Sequence, residues 1–477
     1  MKILIQNGRL IDPASGRDER ADVAIAAGRI VTIGPVSPDF KPSRTIDASG
    51  LVVAPGLVDL AVRLREPGHE HEGMLESEMA AAVAGGVTSL VCLPDTDPPL
   101  DEPGLVEMLK FRARNLNQSH LYPLGALTRG LGGEVLTEMA ELTEAGCVGF
   151  SHAEVAIKDT LVLHRALQYA STFGYTTWLR AQDGYLGNGV AAKGALATRM
   201  GLTGVPVIAE TIALNTLFEL VRDTGARVHI CRLSSAAGVE LVRRAKAEGL
   251  PITCDVSINH LHLTDIDIGY FNAAMRLVPP LRQVRDRDAL RAALADGTID
   301  ALVSDHTPVD EDAKTLPFAE AEPGATGLEL LLGLALKWGE QSGHDLAARA
   351  GRLPRQRRRR EGCAGHPDGP DRRAGDRRND CAEHAFRTGA RHRRAGAHLP
   401  PQQCGGRRAG AAREGRGAAD HLRRQHQPPA PDRHRHRLLQ RRDAPDTAAA
   451  PGARPRRAAR RSRRRHDRRT GQRSHAS

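Results

Sequence analysis

Short apolar runs recur along the first 345 positions, separated by helix-like stretches, which is the alternation of β and α units wound around a parallel sheet. The runs are Leu57 to Leu64, Val87 to Leu93, Leu121 to Leu127, Cys147 to Ser151, Thr176 to Ala181, Arg227 to Leu233, Pro251 to Val256 and Ile299 to Ser304, eight in all. Helical periodicity falls between several of them, for instance over Glu76 to Ala84, Thr211 to Asp223 and Gly238 to Ala247, and Gly327 to Gln341 adds an apolar helix after the eighth. The predicted class is therefore α/β, a (β/α)8 TIM barrel over 55–345 whose chemistry would sit at the C-terminal ends of its strands. The first 54 residues read differently. Lys2 to Ile11, Asp22 to Ile33 and Arg44 to Val53 are strand-like and punctuated by Asn7-Gly8, Ala27-Gly28 and Ser49-Gly50, which predicts a small separate β unit.

Composition changes the picture only past residue 345. The net charge of +11 averages an acidic body of −13 over the first 350 residues and a basic remainder of +24, which holds 36 Arg and no Lys. Residues 351–477 contain no Val, Ile, Met, Tyr or Trp, one Phe and five Leu, too little apolar surface to offset the entropy of ordering. The segment 346–477 thus reads as a disordered Arg-rich tail. Its vocabulary is that of a GC-rich coding sequence read out of frame from about Asp345 to Arg352; a nucleic-acid-binding arm, the alternative, would mix Lys with Arg and show a motif. No nucleic acid is expected as a partner. No stretch approaches the ~18 consecutive apolar residues of a membrane span, and the start lacks the pattern of a secretory signal, so a cytoplasmic location is expected. Cys92, Cys147, Cys231 and Cys254 lie singly in strand-like runs and read as buried thiols.

The segment Val53-Ala54-Pro55-Gly56-Leu57-Val58-Asp59-Leu60-Ala61-Val62-Arg63-Leu64-Arg65-Glu66-Pro67-Gly68 resembles the signature of the dihydroorotase-like amidohydrolases, in which Ala61 and Arg63 are histidines. Alternate residues on a strand point to one side, so His-x-His aims two imidazoles at one ion, and zinc held there acidifies a water to attack an amide. An alanine cannot coordinate, and a guanidinium repels a cation. The resemblance implies the same loss at later strand ends. Phe150-Ser151-His152-Ala153-Glu154 carries Ala153 where an acidic ligand stands, Arg180-Ala181-Gln182-Asp183 carries Arg180 for a histidine, and His229-Ile230-Cys231-Arg232-Leu233-Ser234 carries Arg232 for another. The family's substrate-recognition segment similar to Met-Pro-Asn-Thr appears as Leu93-Pro94-Asp95-Thr96, with Asp95 in place of Asn, and its Asn-Pro-Pro-Leu-Arg segment appears as Val278-Pro279-Pro280-Leu281-Arg282. Arg65, the family's grip on the substrate carboxylate, and Asp305, its proton-transfer carboxylate, stay in pattern as vestiges.

The resemblance covers roughly residues 1–345 and implies an amidohydrolase-type barrel whose partial β-sandwich, residues 1–54, is normally completed by chain returning after the barrel. It implies further a non-catalytic chain without metal or other cofactor. Similar inactive chains pair with the catalytic chain of aspartate carbamoyltransferase in pyrimidine biosynthesis, so a hetero-oligomer is expected. The enzymatic alternative is a metal-dependent amidohydrolase acting on cyclic amides with atypical zinc ligands. His69-Glu70-His71 lies in a polar loop and reads as solvated, and His260 and His262 do not by themselves make a metal site. Removing the ion would leave Asp59 and Asp305 as buried charges, which is costly unless each is paired. At least one of Arg63, Arg180 and Arg232, with Arg63 foremost, is therefore expected within salt-bridge distance of Asp59 or Asp305.

Overall fold

A computed structural model describes residues 1–343 of the chain, so the reading of 346–477 as a disordered, out-of-frame tail lies outside the described residues. The class is α/β. Each of the eight expected runs contains strand, trimmed at its ends: Leu57–Val62, Val87–Cys92, His120–Pro123 with Gly125–Ala126, Phe150–Ser151, Thr176–Arg180, Arg227–Cys231, Ile252–Ser257 and Ala301–Val303. The third is split because Pro123 has no N–H for the ladder; the backbone continues through Leu124, whose amide donates to the Cys92 carbonyl at 2.9 Å.

Neighbouring strands in this series pair in parallel, for example Thr176 with Arg227 through Arg180 with Cys231. The series also meets itself, for Val62 bridges His306 in parallel and the Arg63 amide donates to the His306 carbonyl at 2.9 Å. Strands buried on both faces must be apolar nearly throughout, and Leu90, Ile230, Val256 and Leu302 accordingly have 1% exposure or less. The helices between them carry local stop and start signals. Asp159 caps Thr160–Phe173 by accepting from the Leu161 and Val162 amides, Ser235 caps Ala236–Ala247 by accepting from Gly238, and Gly174 ends its helix in the left-handed region at φ 70°.

The first 53 residues form two small sheets rather than three long strands. One orders Arg29–Ile33, Val23–Ala26, Lys2–Gln6 and Arg44–Asp47; the other orders Arg17–Arg20, Arg9–Asp12 and Val52–Val53. The break between the first two strands is made by Asn7 at φ 65° and by Gly8, where a Cβ would stand 2.6 Å from the Val53 side chain. Ile30, Val31, Leu51 and Val52 leave this unit 46% to 61% exposed, an unusual density of uncovered apolar side chains.

Candidate functional site

Three strand ends converge on one side chain that the sequence reading did not single out, Glu154. Arg63, just past Leu57–Val62, donates from Nη2 to Glu154 Oε1 at 2.8 Å; Arg180, at the end of Thr176–Arg180, donates from Nη1 to Oε2 at 2.8 Å. Arg232, just past Arg227–Cys231, makes a third ion pair with Oε1. The three guanidiniums are nearly enclosed, with side-chain exposures of 7%, 8% and 2%. Burial alone would raise the Glu154 pKa, but Arg232, Arg180 and Arg63 outweigh it and hold the carboxyl well below the ordinary range.

Several further donors of the cluster are also committed, although Arg232 Nε is buried without a hydrogen-bond partner. Arg63 Nε lies 2.7 Å from Asp95 Oδ2 and its Nη1 donates to Thr307 Oγ1 at 2.9 Å. Arg180 Nη2 contacts Gln182 Oε1. Arg232 Nη1 reaches Asp305 Oδ1 at 3.0 Å, and its amide donates to Asp255 Oδ1 at 2.6 Å. Asp305 is pushed above its usual pKa by burial, with the Arg232 charge opposing and the Glu154 charge assisting.

The expectation that Arg63 would be the arginine reaching Asp59 or Asp305 is corrected. Arg63 is taken up by Asp95, Thr307 and Glu154, and Arg232 makes the contact with Asp305. Among the described residues no arginine pairs with Asp59: it is fully buried, its Oδ1 accepts from the Ala61 and Ser304 amides at 3.3 and 3.2 Å, and burial raises its pKa to about 6. Asp95 faces Arg63 with its carboxylate. Arg65 donates from Nε to the Pro308 carbonyl at 2.8 Å while the Glu72 carboxylate lies 2.8 Å from the same atom, so its charge is matched within the protein. Ala61 and Ala153 are buried methyl groups. His306 accepts the Gly327 amide at Nδ1, which leaves its proton on Nε2, facing Glu78 Oε2 at 2.5 Å.

Four of these strand-end residues share a backbone feature. Arg65, Ala153, Arg232 and Asp305 have φ of 62°, 49°, 52° and 56°, a left-handed conformation disfavoured for any residue with a Cβ. Such strain clusters at sites where a side chain must be aimed.

Zinc needs three or four nitrogen, oxygen or sulfur lone pairs directed at one point. Ala61 and Ala153 supply none, the three arginines present only positive donors, and both oxygens of Glu154 and Oδ1 of Asp305 already face guanidiniums. The residues at this place do not fit the ion. Elsewhere among the described residues, His229, Cys231 and Asp255 bring possible ligand atoms within 4.8 Å of one another. Both His229 nitrogens are engaged, with Thr253 Oγ1 at 2.8 Å and Asp255 Oδ2 at 2.9 Å, and burial pushes the Cys231 thiol well up, so this group forms a hydrogen-bonded core contact. His69 and His71 remain at the surface loop, and His260 and His262 face backbone carbonyls of Pro280 and Leu334.

Glu154 escaped the sequence reading because the family pattern drew attention to its neighbour Ala153. A charge count offered the missing signal: three arginines brought to one place need carboxylates, and Glu154 follows Ala153 directly.

Comparison with known proteins agrees with the motif order. The family model described as Dihydro-orotase-like matches residues 50–237. A dihydroorotase-like protein of Pseudomonas aeruginosa is 48% identical over 337 residues, covering 70% of this chain and 80% of the relative. A dihydroorotase of Geobacter sp. (strain M21) is 39% identical over 349 residues, 72% of this chain and 82% of the relative. In structure, the L-hydantoinase (dihydropyrimidinase) of Arthrobacter aurescens superposes with a TM-score of 0.65 at 26% identity, covering 74% of this chain and 80% of that one.

Proposed function

Because this chain belongs to the dihydroorotase-like family of amidohydrolases, we propose that it is a non-catalytic member, kept as a structural subunit of pyrimidine biosynthesis. The observation that carries the reading is the occupation of the site by Glu154 and three arginines. A dihydroorotase of this type needs a metal-bound water as nucleophile. Here the positions that would hold the ion are cationic or apolar, and Asp305, which would move the proton, is tied to Arg232. We read the parallel series, joined from Val62 to His306, as a closed (β/α)8 barrel retained for its surface.

The partner we propose is the catalytic chain of aspartate carbamoyltransferase, in a cytoplasmic hetero-oligomer whose assembly this chain supports. Among the described residues no helix is long and apolar enough to cross a membrane, which accords with such a role. The test is co-expression of the full chain with that catalytic chain, followed by size-exclusion chromatography and light scattering. Co-elution with a gain in carbamoyltransferase oligomer size supports the reading; independent elution removes it.

A second reading, a metal-dependent hydrolase of cyclic amides with other ligands, draws support from the Geobacter relative named a dihydroorotase. Metal analysis of purified protein separates the two. Stoichiometric zinc together with dihydroorotate hydrolysis selects the second.

A further inference from the structure

The sheet formed by Arg29–Ile33, Val23–Ala26, Lys2–Gln6 and Arg44–Asp47 has two unlike faces. Residues paired in register share a face. Ile3 stands beside Ile25 and Arg44, and Ile25 beside Ile30; in the next row Ile5 stands beside Val23 and Ile46, and Val23 beside Ile33. One face is thus two rows of apolar side chains with Arg44 at a corner. The opposite face is closed: Leu4 and Ala24 are 9% and 1% exposed, and the Phe40 ring lies on that side, 5.5 Å from Lys2 Nζ. The isoleucine face is open. Ile30 and Ile46 are 61% and 36% exposed, and Ile3, Ile5, Ile25 and Ile33 are only half-buried. None of these six joins an apolar core cluster among the described residues.

A cover for such a face must itself be apolar. Residues 351–477 hold 36 Arg and no Val or Ile, so the rest of this chain offers no β-branched strand to match the isoleucines, and laying it there would desolvate guanidiniums. A second copy brings the same face, and an apolar face is complementary to itself across a two-fold axis. With that axis along the strands, Lys2–Gln6 of one copy lies over Val23–Ala26 of the other, and Arg44 lies over the far edge strand near Ile30, so the two arginines do not meet. We propose that the isoleucine face pairs with the same face of a second copy of this chain, closing a β-sandwich between them. Four strands about 4.8 Å apart, with up to five residues of about 3.4 Å each, give a face of roughly 300 Å². That is well under the ~800 Å² per partner of a standard interface, which makes the dimer a weak and reversible one in the micromolar range. The face holds none of the residues around Glu154, so the proposal stands whether or not the chain has activity.

The test is sedimentation of the full chain alone over a concentration series. The wild type should pass from one to two chain masses and stop there, because a two-fold face closes on itself. Molar sodium chloride should leave the dimer intact, since apolar contact is not screened, whereas association of the basic remainder with the acidic body of another copy would be abolished. Ile30→Lys should raise the dissociation constant by about tenfold or more, as expected for a charge placed inside an apolar contact, with an unchanged circular dichroism spectrum. Should I30K fail to fold, Ile30→Thr keeps the β-branched shape and loses apolar surface, and a weaker dimer makes the same point. Phe111, 65% exposed on the helix Pro103–Leu116, replaced by Lys should leave the dimer unchanged. A wild type that stays monomeric, association that salt abolishes or that continues past two chains, wild-type affinity in the folded Ile30 variant, or dissociation by F111K would each overturn the proposal.

Discussion

Arg232 Nη1 stands 3.0 Å from Asp305 Oδ1, with only 2% and 6% of the two side chains exposed. In a working member of the family, by resemblance, the first position would hold a metal and the second would move a proton. Here the pair neutralises itself. Because the pair is enclosed, removing one partner strands the other. Arg232→Ala is expected to destabilise the fold by roughly 3 to 5 kcal/mol in chemical denaturation, whereas Asp305→Asn should cost less because Arg232 keeps Glu154. Equal and small effects of both would show that the contact is not maintained in solution.

Glu154 is the hub of the cluster, so Glu154→Gln should be more damaging than loss of any one of its arginines. Its carboxyl titrates well below the ordinary range, so its contribution is present above about pH 4.5 and is lost as pH falls further. Wild-type stability should therefore drop on acidification more steeply than that of E154Q. Parallel acid limbs in urea titrations of the two proteins would count against the three-arginine arrangement.

Asp59 has the opposite sign. Its pKa is raised from 3.8 to about 6 by burial, so the protonated form fits the fold and the charged form is disfavoured. Stability from this group is fully present below pH 3.8 and is lost as pH rises through about 6. The stability of wild type relative to Asp59→Asn should fall by roughly 3 kcal/mol across that window, because each tenfold difference in proton affinity between the folded and unfolded chain is worth about 1.4 kcal/mol. A pH-independent difference would mean that Asp59 titrates normally.

Zinc should be irrelevant to the folded protein. A chelator is expected to leave the melting temperature unchanged, and added zinc should produce no hydrolysis of dihydroorotate. Ala61→His with Arg63→His should not restore turnover, since Arg180, Arg232 and the committed Glu154 still block a full ligand set. Colorimetric turnover above background in either protein would sink the non-catalytic reading.

The periodicity of the chain carried the architecture well. Runs such as Arg227 to Leu233 and Ile299 to Ser304 are apolar because both faces of these strands are covered, and that signal survives without any alignment. The N-terminal unit was harder to read, since its strands are only two to five residues long and turn at Asn7 and Ala27, non-glycine residues in the left-handed region. Substituted positions such as Arg63 and Arg232 were legible from motif spacing, but their pairing was not. Which of three long side chains meets which carboxylate depends on strand-end geometry that residue order does not encode, and so Arg232 took the contact expected of Arg63. Glu154 was missed for the same reason, since its role arises only where three strand ends meet.

Arg65, Ala153, Arg232 and Asp305 hold the left-handed backbone at their strand ends, and this creates a mutational asymmetry across the site. Glycine at any of these positions relieves steric strain worth ~1 kcal/mol while giving the unfolded chain more freedom, two effects of similar size. At Ala153, whose side chain is one methyl group, glycine should therefore be nearly neutral. At Arg232 and Asp305 the same replacement also removes a charge that others depend on. Divergence in this site should thus be permissive at the silent position and restrictive at the charged ones, so a lineage free of catalytic selection would still show a sharply uneven pattern of tolerated change within one cluster of strand ends.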